Sequence, residues 1–221
     1  MNAIVTGASR GIGRAIAQRL RADGLGVITL ARSEGDFLCD LSDARQLRDT
    51  LAAIDERAGD IDILVNNAAF GGPFHGIEST GDAEWDRYLA TNLTAPFRLC
   101  RHYLPRMKQR RFGRIVNIAS VLGLVGAPQS AAYAAMKHGL VGLTRSLALE
   151  AAPFGVTVNA VCPGYIETEM TRARPQVPAG RLGTPEEVAD LTAMLCRRES
   201  SYINGAALTI DGALLAGLNP A

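Results

Sequence analysis

The stretch "TGASRGIG", Thr6 to Gly13, sets three glycines and one arginine within eight residues, directly after a short apolar run. A strand that ends in a glycine-rich turn and opens a helix leaves the first helical N–H groups without acceptors. They carry a partial positive charge, so the turn reads as a phosphate site. Gly7 and Gly11 permit a sharp turn and the close approach of a pyrophosphate, and Gly13 lets the helix pack tightly against a sheet. The spacing is G-x3-G-x-G rather than the general G-x-G-x-x-G, so alone the loop also fits a structural strand-to-helix turn. Beyond it, Ile12, Ile16 and Leu20 form one helical stripe, with Ser9 as the expected cap and Gly24 as the expected stop.

The same alternation continues along the chain. Short runs rich in Val, Ile and Leu read as buried parallel strands at Ala3–Val5, Val27–Leu30, Phe37–Cys39, Ile61–Asn66, Arg114–Ala119, Val156–Val161 and Ala207–Ile210. Helical patterns fall at Ile12–Asp23, Ala44–Ala58, Ala83–Arg110, Ala131–Ala151 and Pro185–Cys196. The expected fold is α/β: a doubly wound parallel sheet of about seven strands, helices on both faces, residues 1–221 as one domain. Between Leu30 and Phe37 only "ARSEGD" intervenes, too short for a crossover helix.

Composition sets the outer limits. The 221 residues are 48% apolar, and their 23 basic and 22 acidic side chains leave a net charge of +1. Such a balance gives no electrostatic reason to expect nucleic acid or an anionic membrane as partner. The basic run "RMKQRRFGR", Arg106 to Arg114, reads as a solvated face. Cys39, Cys100, Cys162 and Cys196 are far apart and form no CxxC pair or metal-ligand cluster; no metal is expected, and buried thiols suit a reducing compartment. "MNAIVTG" passes straight into a strand pattern, so no signal peptide is expected, and no apolar run reaches the ~18 residues of a membrane span. The expectation is a soluble, cytoplasmic protein.

The end of the second strand bears on the ligand. A site for NAD places a carboxylate there for the ribose 2′-hydroxyl. This chain reads "TLARS", with Ala31 and Arg32 after Leu30. Arg10 on the loop and Arg32 after the strand are candidates to converge on a 2′-phosphate, the alternative being two solvated arginines. NADP(H) is therefore the favoured cofactor.

"SVLGLVGAPQSAAYAAMK" runs from Ser120 to Lys137 and places Tyr133 and Lys137 four apart on one helical face. Ser120 ends the strand "GRIVNIAS", at the edge where such sheets bind ligands. An ammonium beside a phenol favours the phenolate, which would make Tyr133 a usable general acid or base. Ser120 would hold the substrate oxygen against it.

Taken together these stretches resemble the short-chain dehydrogenase/reductase family over essentially the whole chain, with a Rossmann-type fold. "TGASRGIG" resembles its cofactor loop, so Gly7, Ser9, Arg10, Gly11, Ile12 and Gly13 are implied cofactor contacts. "CDLSD" resembles its adenine contact (Asp40, Leu41) and "NNAA" its strand-four motif (Asn67, Ala68). "NLTAPF" matches the segment bearing the family's catalytic Asn, here Asn92, while Ser120, Tyr133 and Lys137 match the other catalytic positions. "PGYIETEM" matches the segment that holds the nicotinamide carboxamide, giving Pro163, Gly164, Ile166 and Thr168. The resemblance implies that Lys137 holds the nicotinamide ribose and lowers the Tyr133 pKa, that Tyr133 protonates the carbonyl oxygen, and that Asn92 anchors a relay water.

Within the family, "VTVNAVCPGYIETEMTRA" and "VPAGRLGTPEEVA" look most like bacterial 3-oxoacyl-[acyl-carrier-protein] reductases. That implies a small-molecule or carrier-bound carbonyl substrate and a homodimer or homotetramer. An alcohol, sugar or steroid dehydrogenase of the same family is the alternative, and a non-catalytic NADP-binding redox sensor a third reading. Three departures stand out: Ala69 where the family has glycine, the short "ARSEGD" connection, and the short "TRARPQVPAG" between Met170 and Arg181. The last predicts an open substrate mouth flanked by Arg172 and Arg174.

Overall fold

The structure is a computed structural model that describes residues 1–168, 171 and 177–217. Its strands are β1 (Asn2–Thr6), β2 (Gly26–Ala31), β3 (Phe37–Leu38), β4 (Ile63–Asn66), β5 (Gly113–Ile118), β6 (Val156–Pro163) and β7 (Ala207–Ile210). They form one seven-stranded sheet in the order β3-β2-β1-β4-β5-β6-β7, every neighbouring pair parallel. The helices are α1 (Gly11–Ala22), α2 (Ala44–Ala58), α3 (Asp82–Leu89), α4 (Ala95–Arg110), α5 (Ala131–Ala151) and α6 (Pro185–Cys196).

The strand alternation sorts these helices into two layers. Ile4, Leu64, Ile115 and Val158 point to one face and pack with α2, α4 and the end of α5. Ala3, Val5, Ile63, Val65, Val116 and Val161 point to the other and meet α1 and α6. Both faces are covered, so the strands have no polar side and read as nearly continuous apolar runs. Each fully buried Ile, Leu or Val contributes about 1.5–3 kcal/mol. α6 starts where its sequence says: Thr184 caps, Pro185 takes the first turn, and Glu187 completes the reciprocal box.

Several expectations are corrected. Ser9 is not the cap of α1; Arg10 occupies that position with extended backbone, and no side chain caps the helix. Gly24 does end it, with φ +83°. The helix expected over Ala83–Arg110 is two helices joined by a π-turn at Ala90–Thr94. Pro96 supplies the reason, for it has no N–H to give the Asn92 carbonyl four residues back, and its ring crowds that carbonyl. β3 is two residues long, after which Cys39 N still donates to Ala31 O at 2.9 Å. No helix separates β2 from β3, as "ARSEGD" requires.

The basic run is only partly a solvated face. Arg114 is buried and donates to the carbonyls of Gly113, Gly155, Arg197 and Arg198, tying the C-terminus of α6 to the base of β5. Arg197 and Arg198 stand at the C-terminal end of α6, where the helix dipole is negative, which suits a cation. Ala69 is not among the residues of positive φ, so alanine fits there. Of the short "TRARPQVPAG" segment, 172–176 lie outside the described residues, as do Arg172 and Arg174. Among the described residues no helix is long and apolar enough to cross a membrane, and all four cysteines are buried and unpaired.

Candidate active site

β1 is flanked by β2 on one side and β4 on the other, so the chain reverses its winding there, and a crevice opens above the carboxyl ends of these strands. The glycine turn lies in it. Gly7 has φ +65°, and a Cβ on it would stand 2.7 Å from Ala68 Cα. A Cβ on Gly13 would strike Gly7 O and the Asn67 amide, so this glycine admits the helix to the turn itself and to β4 rather than to the sheet face. Asn67 braces the turn, donating from Nδ2 to Thr6 O at 2.9 Å and Gly7 O at 3.2 Å. Thr6 Oγ1 accepts from Asn67 N and Ala68 N, both at 3.0 Å. Asn67 and Ala68 thus hold the cradle together from below.

Gly11, φ +53°, opens toward the far wall: its missing Cβ leaves the space facing Thr168 Cγ2. With no side-chain cap and no acidic residue in its first turn, α1 presents its N-terminal amides to that space. An anion such as a diphosphate fits this cradle. Ile12 is the first apolar residue of α1 behind it, and Ser9 lends its carbonyl to Arg14. Arg10 and Arg32 are both exposed at this edge. Arg14 reaches Glu34 of the β2–β3 loop at 3.5 Å, so the loop bearing Arg32 lies beside the start of α1. Asp36 is turned inward onto Thr29 N and Oγ1 at 2.9 and 2.7 Å, so this carboxylate of the loop is already engaged.

Asp40 Oδ1 accepts from Ser42 Oγ at 2.7 Å and Ser42 N at 3.0 Å, which holds its carboxyl below the ordinary range, with Arg32 and Arg87 adding to the effect. The Leu41 side chain is in the core, so only its backbone faces the crevice. On the opposite wall, Pro163 ends β6 and Gly164 N donates to Ile210 O at 3.0 Å. Ile166 is buried, its carbonyl accepting from Thr171 Oγ1 at 2.5 Å.

The reactive cluster stands at the ends of β5 and α5. Ser120 follows β5; its Oγ accepts from Leu122 N at 3.1 Å and faces the Tyr133 phenol, whose pKa it lowers. Lys137 is buried, donates from Nζ to Ile118 O at 2.8 Å, and lies 5.5 Å from the Tyr133 ring centre. Burial pushes the Tyr133 phenol up to about 12, against the opposing effect of Ser120. Burial also pushes Lys137 down to about 8. In this geometry burial sets the direction of the phenol's shift. Asn92, in the π-turn, accepts from Phe70 N at 2.7 Å and donates to Phe70 O at 3.0 Å. Its side chain therefore pins the loop after β4.

Sequence reasoning missed the wall opposite Ser120. Phe74 and Tyr88 lie 5.7 and 6.3 Å from the Tyr133 ring, both edge-on. His75 and Glu84 form a pair at 3.0 Å beside them. "WDRYL" was read as part of one long helix, and no spacing in "FGGPFHGIEST" marks a site.

Comparisons with known proteins bear on the family and the fold. A family model described as enoyl-(acyl carrier protein) reductase matches residues 7–214. The 3-oxoacyl-[acyl-carrier-protein] reductase of Escherichia coli strain K12 is 42% identical, with 96% of each chain covered. The corresponding reductase of Mycobacterium bovis is 38% identical, covering 96% of this chain and 91% of its own. Among solved structures, the ligand-free aldohexose dehydrogenase of Thermoplasma acidophilum superposes with a TM-score of 0.92 at 35% identity, over 100% of this chain and 96% of that one. A putative gluconate dehydrogenase from Agrobacterium tumefaciens gives 0.90 at 32% identity, over 98% and 96%.

Proposed function

Because this chain belongs to the short-chain dehydrogenase/reductase family and is an oxidoreductase, we propose that it reduces the carbonyl of a 3-oxoacyl thioester or similar β-keto compound with NADPH. The observation that carries the reading is the Ser120–Tyr133–Lys137 cluster: a phenol, protonated at neutral pH, stands beside a serine hydroxyl with a buried ammonium 5.5 Å from its ring centre. The curated relatives named above are reductases of 3-oxoacyl groups, which supports the substrate class.

The cofactor supplies a hydride. The glycine turn and the α1 amides hold its diphosphate, Arg10 and Arg32 take the 2′-phosphate, Asp40, the Leu41 backbone and Ala68 border the adenosine, and Pro163, Gly164, Ile166 and Thr168 form the nicotinamide wall. Ser120 and Tyr133 receive the carbonyl oxygen between two hydroxyls, and Tyr133 gives it the proton. Lys137 turns from Ile118 O toward the ribose and the proton path. The Asn92 side chain is committed to Phe70, so we assign the relay water to its main-chain carbonyl, which Pro96 cannot serve. Residues 1–221 act as one domain holding both cofactor and substrate. Buried unpaired thiols suit the cytoplasm. Phe97 and Leu149 are exposed on α4 and α5, which supports pairing of these helices in a homodimer or homotetramer.

A second reading, a sugar dehydrogenase, draws on the two solved neighbours, an aldohexose dehydrogenase and a putative gluconate dehydrogenase. The experiment is kcat/KM for NADPH and NADH with an acetoacetyl thioester, and for NADP⁺ and NAD⁺ with an aldohexose. Two charge-assisted bonds to the extra phosphate, partly offset by desolvation, give a preference for NADPH of about 10²-fold, which Arg32→Ala removes in large part. Equal use of both cofactors, or a preference unchanged in Arg32→Ala, contradicts the assignment.

A further inference from the structure

A carboxylate oxygen without a partner lies beside the acid of this site. Glu84, on the first turn of α3, gives Oε2 to His75 Nε2 at 3.0 Å. Its Oε1 is buried, yet has no hydrogen-bond partner among the described residues. Around it is a small cavity lined by His75, Thr80, Tyr88, Ser130 and Tyr133, with room for about one water-sized group. The tyrosines do not serve the oxygen: Tyr88 donates to Pro73 O at 3.1 Å, and the Tyr133 phenol faces Ser120. A buried carboxylate oxygen takes a donor, and in a cavity of this size that donor is a water or a small N–H or O–H group of a bound molecule.

His75 fixes where that oxygen points. Its Nδ1 lies 3.3 Å from Gly76 O, and its Nε2 faces the Glu84 carboxylate. Nε2 carries the proton of the bond to the carboxylate, while Nδ1 lies between the Gly76 carbonyl, which accepts, and the Thr80 hydroxyl, which can donate. The Gly76 carbonyl, then Glu84 and Glu78, hold the ring above its ordinary value. Those two carboxylates are the charged groups facing it, with the Thr80 hydroxyl 3.4 Å from Nδ1.

We propose that Glu84, oriented by His75, is a substrate-binding residue whose Oε1 accepts a hydrogen bond from an N–H or O–H donor of the substrate, on the Tyr133 side of the reacting carbonyl. This rests on the carbonyl-reductase reading and deepens it, for it selects substrates carrying a donor near the keto group. An amide N–H of a thioester arm and a hydroxyl of a sugar share this chemistry.

The test compares Glu84→Ala with wild type on three probes: ethyl acetoacetate, whose keto form has no donor; acetoacetyl-N-acetylcysteamine, which carries an amide N–H; and glucose with NADP⁺. Loss of a bond to a charged acceptor raises KM about tenfold or more for the probe whose donor is used, with little change for ethyl acetoacetate. The thioester and glucose arms separate the two donor sources. Glu84→Gln, which keeps an accepting oxygen, restores part of the loss, and an unchanged Kd for NADPH shows that the fold is intact. Equal changes on donor-bearing and donor-free probes, or none, overturn the proposal. If Glu84→Ala does not fold, His75→Gln, which keeps the carboxylate but loosens it, must show the same selective rise in KM. If wild type turns over none of the probes, the carbonyl-reductase reading has failed. Calorimetric binding of 3-hydroxybutyryl-N-acetylcysteamine and glucose then reads the subsite alone, and equal affinity in wild type and Glu84→Ala overturns it.

Discussion

Lys137→Met should make the cofactor-free protein more stable while destroying its activity. Lys137 is buried, its ammonium has one hydrogen bond among the described residues, to Ile118 O at 2.8 Å, and burial holds it at about 8 instead of 10.5. A displacement of that size costs about 3 kcal/mol in the folded state at neutral pH, where the unfolded chain binds the proton more tightly. Methionine fills similar volume without the charge, and losing the bond to Ile118 O returns about 1 kcal/mol. The net gain is about 2 kcal/mol at pH 7. The sign of the pH dependence follows from the lowered pKa: the wild-type penalty is complete below about 8 and is relieved as pH rises toward 10.5. The advantage of Lys137→Met should therefore shrink by about 2 kcal/mol between pH 7 and pH 9.5. Urea unfolding of both proteins at the two pH values measures it. Equal stability at pH 7, or an advantage that grows with pH, would refute the reasoning.

Tyr133→Phe should lower kcat for carbonyl reduction by about 10²–10⁴-fold while leaving the Kd for NADPH nearly unchanged, read by steady-state kinetics and fluorescence titration. Gly13→Ala should abolish cofactor binding, because the added Cβ strikes Gly7 O and the Asn67 brace; a titration with wild-type affinity contradicts this. Arg114→Met strands the carbonyls of Gly113, Gly155, Arg197 and Arg198 and should cost about 2–4 kcal/mol in urea unfolding, with little effect on KM in the protein that remains folded.

The sheet and its winding were legible because buried parallel strands leave an uninterrupted apolar signal, and because "TGASRGIG" places a helix start after a strand. Ser120, Tyr133 and Lys137 were legible from their order and spacing, and the structure brings them together. The break at Ala90–Thr94 was not read, although Pro96 announces it: a proline in the first turn of a helix is unremarkable, and only the position of Asn92 four residues earlier makes it a π-turn. Arg114 looked like one more surface cation, since its burial depends on carbonyls more than 40 and 80 residues away. His75, Glu84, Phe74 and Tyr88 left no sequence signal because a loop and a helix converge there only in three dimensions. Spacing shows that an ammonium lies near the phenol, but not that burial acts on the phenol in the opposite direction.

The most direct measurement mixes wild-type protein with NADPH and an acetoacetyl thioester under single-turnover conditions and quantifies the product. The account predicts one 3-hydroxybutyryl thioester for each NADPH consumed, and none with Tyr133→Phe. No hydroxyacyl product from the wild-type protein, or the same yield from Tyr133→Phe, would contradict it.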